Sequence, residues 1–317
     1  MAVVCSYASR GSGFRFALPS SLVPIFGVAM LYAAMHLGRM HGRPGLRAGA
    51  AAFLQMTLFT LIGIVLSYAL AARGGALWDV RFGAVDRALG FDWPAIFLVA
   101  DRLPALLWVG GVAYHSLTLQ MVACIVVLAA TDQADRLRIA VIAAIASGFV
   151  TILISGAMPA LGNVFDPADY RRLWPSVAWS EQDLLIGLRD GSWRVIDLTR
   201  LMGIVTFPSY HATLPIILAW ALSRTRGWRV VAPVWAGITI LATPLFGGHY
   251  AIDVLAGAGL AVLALWLAPQ IAAVVSPAGA DRLATGSFAA TVRSGTAGSV
   301  ARCATRQAQT GADNALV

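Results

Sequence analysis

Apolar runs recur along the chain, and several reach the ~20 residues needed to cross the hydrocarbon core of a bilayer. They cover residues 20–38, 50–72, 104–130, 139–161, 208–223, 230–246 and 249–268. Repetition at that length rules out a soluble domain with a single anchor. It predicts an all-α, polytopic transmembrane helical bundle of about six to seven spans. Arg10 and Arg15 precede the first run in the manner of a signal peptide, but no small-residue cleavage site follows it, so it counts as a span.

Charge is sparse and one-sided. Charged residues make up 12% of the chain, about half the share of an average soluble domain. Every basic residue is arginine. No basic cluster interleaved with aromatics is present, so the positive balance does not imply nucleic acid. Cys5, Cys124 and Cys303 show no metal-ligand spacing, and neither a disulfide nor a metal site is expected.

The arginines do report topology. Arg39, Arg43 and Arg47 lie between the first two runs, Arg136 and Arg138 between the third and fourth, and Arg224, Arg226 and Arg229 between the fifth and sixth. Alternation through seven spans puts all three links on one side, which the positive-inside rule makes cytoplasmic. The domain layout that follows has an N-terminal tail over 1–19, a membrane domain over 20–275 and a disordered, Ala/Gly/Ser/Thr-rich tail over 276–317. Two outer segments, 73–103 and 162–207, face the other side. The first, with Trp78, Phe82, Leu89 and Trp93, is expected to lie flat in the interface. The second carries Trp174, Trp179 and Trp193, which suit headgroup depth.

Two motifs carry chemistry. In Pro208-Ser209-Tyr210-His211 the proline suits the first position of a helix, and the free N–H groups beside it would attract phosphate. In Gly247-Gly248-His249-Tyr250-Ala251-Ile252-Asp253 the histidine and aspartate stand four apart and share a helix face. The carboxylate can then fix the imidazole tautomer. Topology brings His211 and His249 to one outer face, each at a helix start. An aspartate near the start of a membrane helix marks function by default. His115 is the only spare histidine near them, which leaves a zinc site short of ligands.

These two motifs resemble the second and third signatures of the type 2 phosphatidic acid phosphatase superfamily. The resemblance implies that His249 is the phosphoryl-accepting nucleophile, Asp253 its orienting carboxylate and His211 the acid for the leaving oxygen. Ser209 and Tyr210 would belong to the phosphate cradle, with no metal and no other cofactor. The sequence departs from the common pattern in three places. Tyr210 stands where glycine is usual, Thr243 where a phosphate-binding arginine is usual, and the first motif is missing. Those departures resemble the inositol phosphorylceramide synthase branch. They turn the search for phosphate-binding cations to Arg200 and Arg189, with Arg194 and the earlier Asp86, Arg87 and Arg102 behind them.

The expected function is hydrolysis of a lipid phosphate ester through a phosphohistidine. Its alternative is transfer of a phosphoryl headgroup to a lipid alcohol, and a second alternative is a non-enzymatic transporter. The expected partners are a lipid phosphate and membrane lipids. The expected location is a bacterial inner membrane, with the site facing the periplasm.

Overall fold

The computed structural model describes residues 13–275. Most of the expected N-terminal tail and the whole 276–317 tail, with Cys5 and Cys303, lie outside the described residues. The chain divides into a unit ending at Ala268 and a second beginning at Pro269. The architecture below belongs to the first.

Eleven α-helices occur among the described residues: α1 (Leu18–Met40), α2 (Pro44–Ala71), α3 (Asp79–Ala88), α4 (Trp93–Asp101), α5 (Pro104–His115), α6 (Leu117–Ala130), α7 (Ala134–Ala157), α8 (Val177–Asp190), α9 (Tyr210–Leu222), α10 (Trp228–Gly247) and α11 (Ala251–Val275). The only strands described are β1 (Arg15–Phe16) and β2 (Val195–Ile196), paired in parallel. A helical bundle is what lipid demands, since a helix satisfies its own backbone polar groups where no water can. Leu22, Phe26, Trp108, Leu119, Leu241 and Trp266 point outward, uncovered by protein. Lipid is the solvent that suits such a surface. The protein is an integral membrane protein.

Five helices, α1, α2, α7, α10 and α11, are long and apolar enough to cross a membrane, and α4 with α5 forms a sixth candidate bent by 107°. Seven uninterrupted spans are not found among the described residues. The 104–130 run is broken at Ser116, whose hydroxyl accepts hydrogen bonds from Gln120 Nε2 and Trp235 Nε1. The 208–223 run gives α9, a helix of only 13 residues.

The packed interior joins α2, α6, α7, α9 and α11 through Met56, Cys124, Leu128, Val141, Ile217 and Ala261. Small residues let these helices approach closely, as membrane packing favours. At Gly257 of α11 an added Cβ would lie 2.3 Å from the Ser209 carbonyl oxygen. Thr213 Oγ1 bridges the same crossing by donating to the carbonyls of Ser209 and Gly257. Arg136 closes the far end of α9. Its guanidinium donates to the carbonyls of Trp220 and Ala221 and lies over the Trp220 ring. Such a cation satisfies carbonyls that a helix end leaves orphaned.

Both segments carry helices. Residues 73–103 hold α3 and α4, and α3 buries Phe82 and Asp86. In the second segment α8 is closed by Ser176 at its N-terminus, where Oγ accepts from Trp179 N–H, and by left-handed Gly191 at its end. Asp101, at the end of α4, accepts from the backbone N–H groups of Arg171, Arg172 and Leu173 and ties the two segments together.

Gly257→Ala is expected to destabilise the protein by about 1–3 kcal/mol, because overpacking against backbone outweighs the gain of ~1 kcal/mol in helix propensity. Thermal unfolding of detergent-solubilised protein checks this through a lowered apparent Tm.

Candidate active site

The start of α11 is built by carboxylates. The first N–H groups of a helix lack intrahelical partners. Here Ala251 and Ile252 donate to Asp86 of α3, at 2.7 and 3.0 Å, and Tyr250 N–H donates to Asp253 Oδ2 at 2.9 Å. Asp86 is fully buried and also accepts from Trp93 Nε1 at 2.7 Å. Asp79 of α3 accepts from the Tyr250 hydroxyl and from the backbone of Leu161 and Gly162. The outer segment therefore grips the turn that carries His249. Asp86, weighed on sequence as a weak phosphate neighbour, caps a helix instead.

His249 sits two residues before α11 and is buried. Its Nδ1 lies 3.3 Å from Asp253 Oδ2. Asp253 is fully buried, and its Oδ1 has no partner among the described residues. Gly248 reaches His249 through a left-handed backbone, φ +68°. Beside it, an added Cβ on Gly247 would lie 2.8 Å from both His249 Cδ2 and the Tyr114 hydroxyl.

His211 stands in the first turn of α9. That helix begins at Tyr210 with Ser209 in the capping position, so Pro208 is not its first residue, as sequence had suggested. Ser209 N–H donates to the Asp253 carbonyl at 2.9 Å, which joins the two histidine-bearing elements directly. The N–H groups of Tyr210 and His211 have no hydrogen-bond partner among the described residues. Ser209 Oγ is buried and likewise unpartnered. Tyr114 of α5 stacks on His211 with ring centroids 4.3 Å apart and planes inclined by 16°.

The two imidazoles approach to 6.4 Å between ring centroids. Both line one cavity of about 280 Å³, with walls from α2, α7, α8 and α9. Tyr210 lines it too, while its hydroxyl reaches across to the Ala144 carbonyl of α7. Ser209 is not among the residues that line it.

The two arginines favoured on sequence are elsewhere. Arg200 lines a separate cavity with Trp193, Arg194 and Tyr68. Arg189 donates to the Gly75 carbonyl. Thr243 is buried and bonded to Thr239 within α10. His115 is exposed and edge-on to Tyr114. The cavity lining contains no arginine and no lysine. It contains one carboxylate that sequence reasoning did not single out, Glu181 of α8, which burial pushes up to about 8. No cluster of three or more metal-binding side chains occurs among the described residues.

This arrangement offers an imidazole oriented by a carboxylate, a second imidazole across a shared space, and N–H groups unpartnered among the described residues at a helix start. Residues 80–267, more than half of the chain, match the family model of the PAP2 superfamily. The chain belongs to the PAP2 superfamily. No curated protein and no solved structure matches it in the same comparisons. Membership supports a phosphatase- or phosphotransferase-type function. The PAP2 region begins inside α3, so it takes in Asp86, while Asp79 lies one residue before it.

Asp86→Ala is expected to cost about 2–5 kcal/mol, because it strands Trp93 Nε1 and two helix-start N–H groups. Asp86→Asn keeps one acceptor oxygen and should cost less. Apparent Tm values of the two variants in detergent give the order.

Proposed function

We propose that this PAP2-superfamily protein cleaves a phosphate ester of a lipid through a phosphohistidine on His249, without a metal ion. One observation carries the reading: a buried His249–Asp253 pair faces His211 across a single cavity. Asp253 occupies Nδ1, so Nε2 is the nitrogen left to attack phosphorus. His211 gives its proton to the leaving oxygen and takes one from the incoming acceptor. The free N–H groups of Tyr210 and His211 stabilise the phosphoryl oxygens at the start of α9. That division of labour suits phosphoryl transfer, which depends on positioning and charge stabilisation. Arg200 and Arg189 have no part in this mechanism.

A second reading, transfer of the phosphoryl headgroup to a lipid alcohol in the manner of inositol phosphorylceramide synthases, is favoured by the lining. A phosphomonoester brings two negative charges to a cavity with no arginine or lysine. At an effective dielectric of about 20, each like-charge pair at ~6 Å costs roughly 3 kcal/mol. A phosphodiester brings only one charge. The three arginine links support an outward-facing site, periplasmic in a bacterial inner membrane.

Release of phosphate or headgroup from a panel of lipids, in detergent and with chelator present, tests the reading. His249→Ala and His211→Ala should each lower the rate by about 10³-fold or more. Asp253→Asn should lower it by roughly 10- to 10⁴-fold, since the imidazole loses its fixed tautomer. Turnover retained by both histidine variants, or abolished by chelation alone, would defeat it.

A further inference from the structure

A groove of about 270 Å³ runs along the second half of α9, beyond the turn that carries His211. It lies between α6, α9 and α10 and is walled by Leu119, Leu218, Leu222, Trp228, Val231 and Trp235. Leu119 and Val231 are exposed, so the groove opens toward lipid. Its inner end meets Ser116 and Gln120, whose donors are satisfied inside the bundle. Ser116 Oγ donates to the Ala113 carbonyl, and Gln120 Nε2 donates to Ser116 Oγ and Thr239 Oγ1. Trp235 and Trp228 stand two turns apart on α10, a rise of about 10 Å, and Trp228 marks the outer mouth. That mouth is positive. Arg224, Arg226 and Arg229 stand in and beside the α9–α10 turn, which carries no carboxylate. All three are exposed, and none forms an ion pair among the described residues. The α6–α7 link meets this turn where Gln133 Nε2 donates to Thr225 Oγ1 at 2.9 Å. Its carboxylates, Asp132 and Asp135, are exposed and pair with none of the three arginines.

We propose that the groove and its arginines bind an anionic glycerophospholipid of the leaflet that the arginine links face, with an acyl chain in the groove and the phosphate on Arg224, Arg226 and Arg229. The site is separate from the cavity of the imidazoles and does not depend on the phosphohistidine reading. An empty apolar groove forfeits dispersion contacts along its whole lining, and within a bilayer the material that fills it is an acyl chain. Any phospholipid has such a chain, so the groove alone selects none. Selection comes from the mouth, where unpaired cations at headgroup depth favour a net negative lipid over a zwitterionic one. Trp228 between them suits the same depth. A lipid held there spans α9 and α10 and fixes their hairpin at the end opposite His211.

The experiment titrates delipidated protein in a neutral detergent with phosphatidylglycerol or phosphatidylcholine of identical chains, and reads bound lipid by native mass spectrometry. Wild type should bind phosphatidylglycerol about 10- to 100-fold more tightly, at roughly fivefold per arginine. Arg226→Gln should remove about fivefold of that preference, and replacement of all three arginines by glutamine should abolish it. Ala123→Phe and Ala219→Phe fill the groove and leave every charge in place. Each should weaken both lipids by about 10-fold or more, the scale of losing one or two buried methylenes. Loss of binding in these variants also distinguishes the groove from the cavity of the imidazoles. Glycerol phosphate, which carries the charge without the chains, should not displace the lipid. An unchanged apparent Tm without lipid shows that the variants are folded. Because arginine substitutions in a link also bear on insertion, the wild-type comparison and the groove-filling variants decide the matter without them. Equal affinity for the two lipids overturns the proposal. Phosphatidylglycerol binding that survives both groove-filling variants overturns it too, leaving a charged surface and no groove site. Displacement by glycerol phosphate would mark a site for free phosphate instead.

Discussion

The site depends on how the first backbone N–H groups of α11 are satisfied. A helix that starts inside protein, away from water, must find acceptors for them. This chain finds them in Asp86, from a helix 165 residues earlier, and in Asp253, from the helix itself. The Asp253 oxygen that accepts from Tyr250 also faces His249 Nδ1. Orienting the imidazole and closing the helix start are thus one arrangement. The Asp253 backbone then accepts from Ser209, which sets the beginning of α9 against the same turn. The geometry between the two imidazoles follows from hydrogen bonds that the fold needs in any case.

Much of this was legible in sequence, and the reason is locality. Apolar runs gave the helical class, and the four-residue spacing of His249 and Asp253 placed them on one face. Alternating arginine links brought His211 to the same end of the bundle. What sequence missed is long-range. Nothing near Asp86 announces that it closes a helix so far along the chain. Tyr114 looks like any aromatic in a span until it stacks on His211. Glu181 sits in a polar, Trp-rich stretch where a carboxylate reads as solvated. Arg200 and Arg189 drew attention as the basic residues preceding the second motif, yet nearness in sequence did not bring them to the cavity. Seven runs did not become seven long helices: hydropathy cannot register the break at Ser116, and the 208–223 run was itself short.

The arginines have a second use that topology rules do not describe. Arg136 lies in a link read as cytoplasmic, and it also satisfies the last carbonyls of α9 and covers Trp220. One residue both reports orientation and fixes the end of the helix whose other end carries His211. Substituting it would perturb insertion and local packing together, so the two contributions cannot be separated by a single replacement.

The shortness of α9 bears on where in the bilayer the chemistry occurs. Thirteen residues rise about 20 Å, against a hydrocarbon core of ~30 Å. Were Arg224, Arg226 and Arg229 to lie at one interface and α9 along the bilayer normal, His211 would stand roughly 10 Å short of the opposite headgroup plane. A lipid that reacts there must sink its phosphorus below its neighbours, or the bilayer must dimple to meet the protein. Either route leaves bulk water behind, and an acceptor that already resides among acyl chains has the shorter way in.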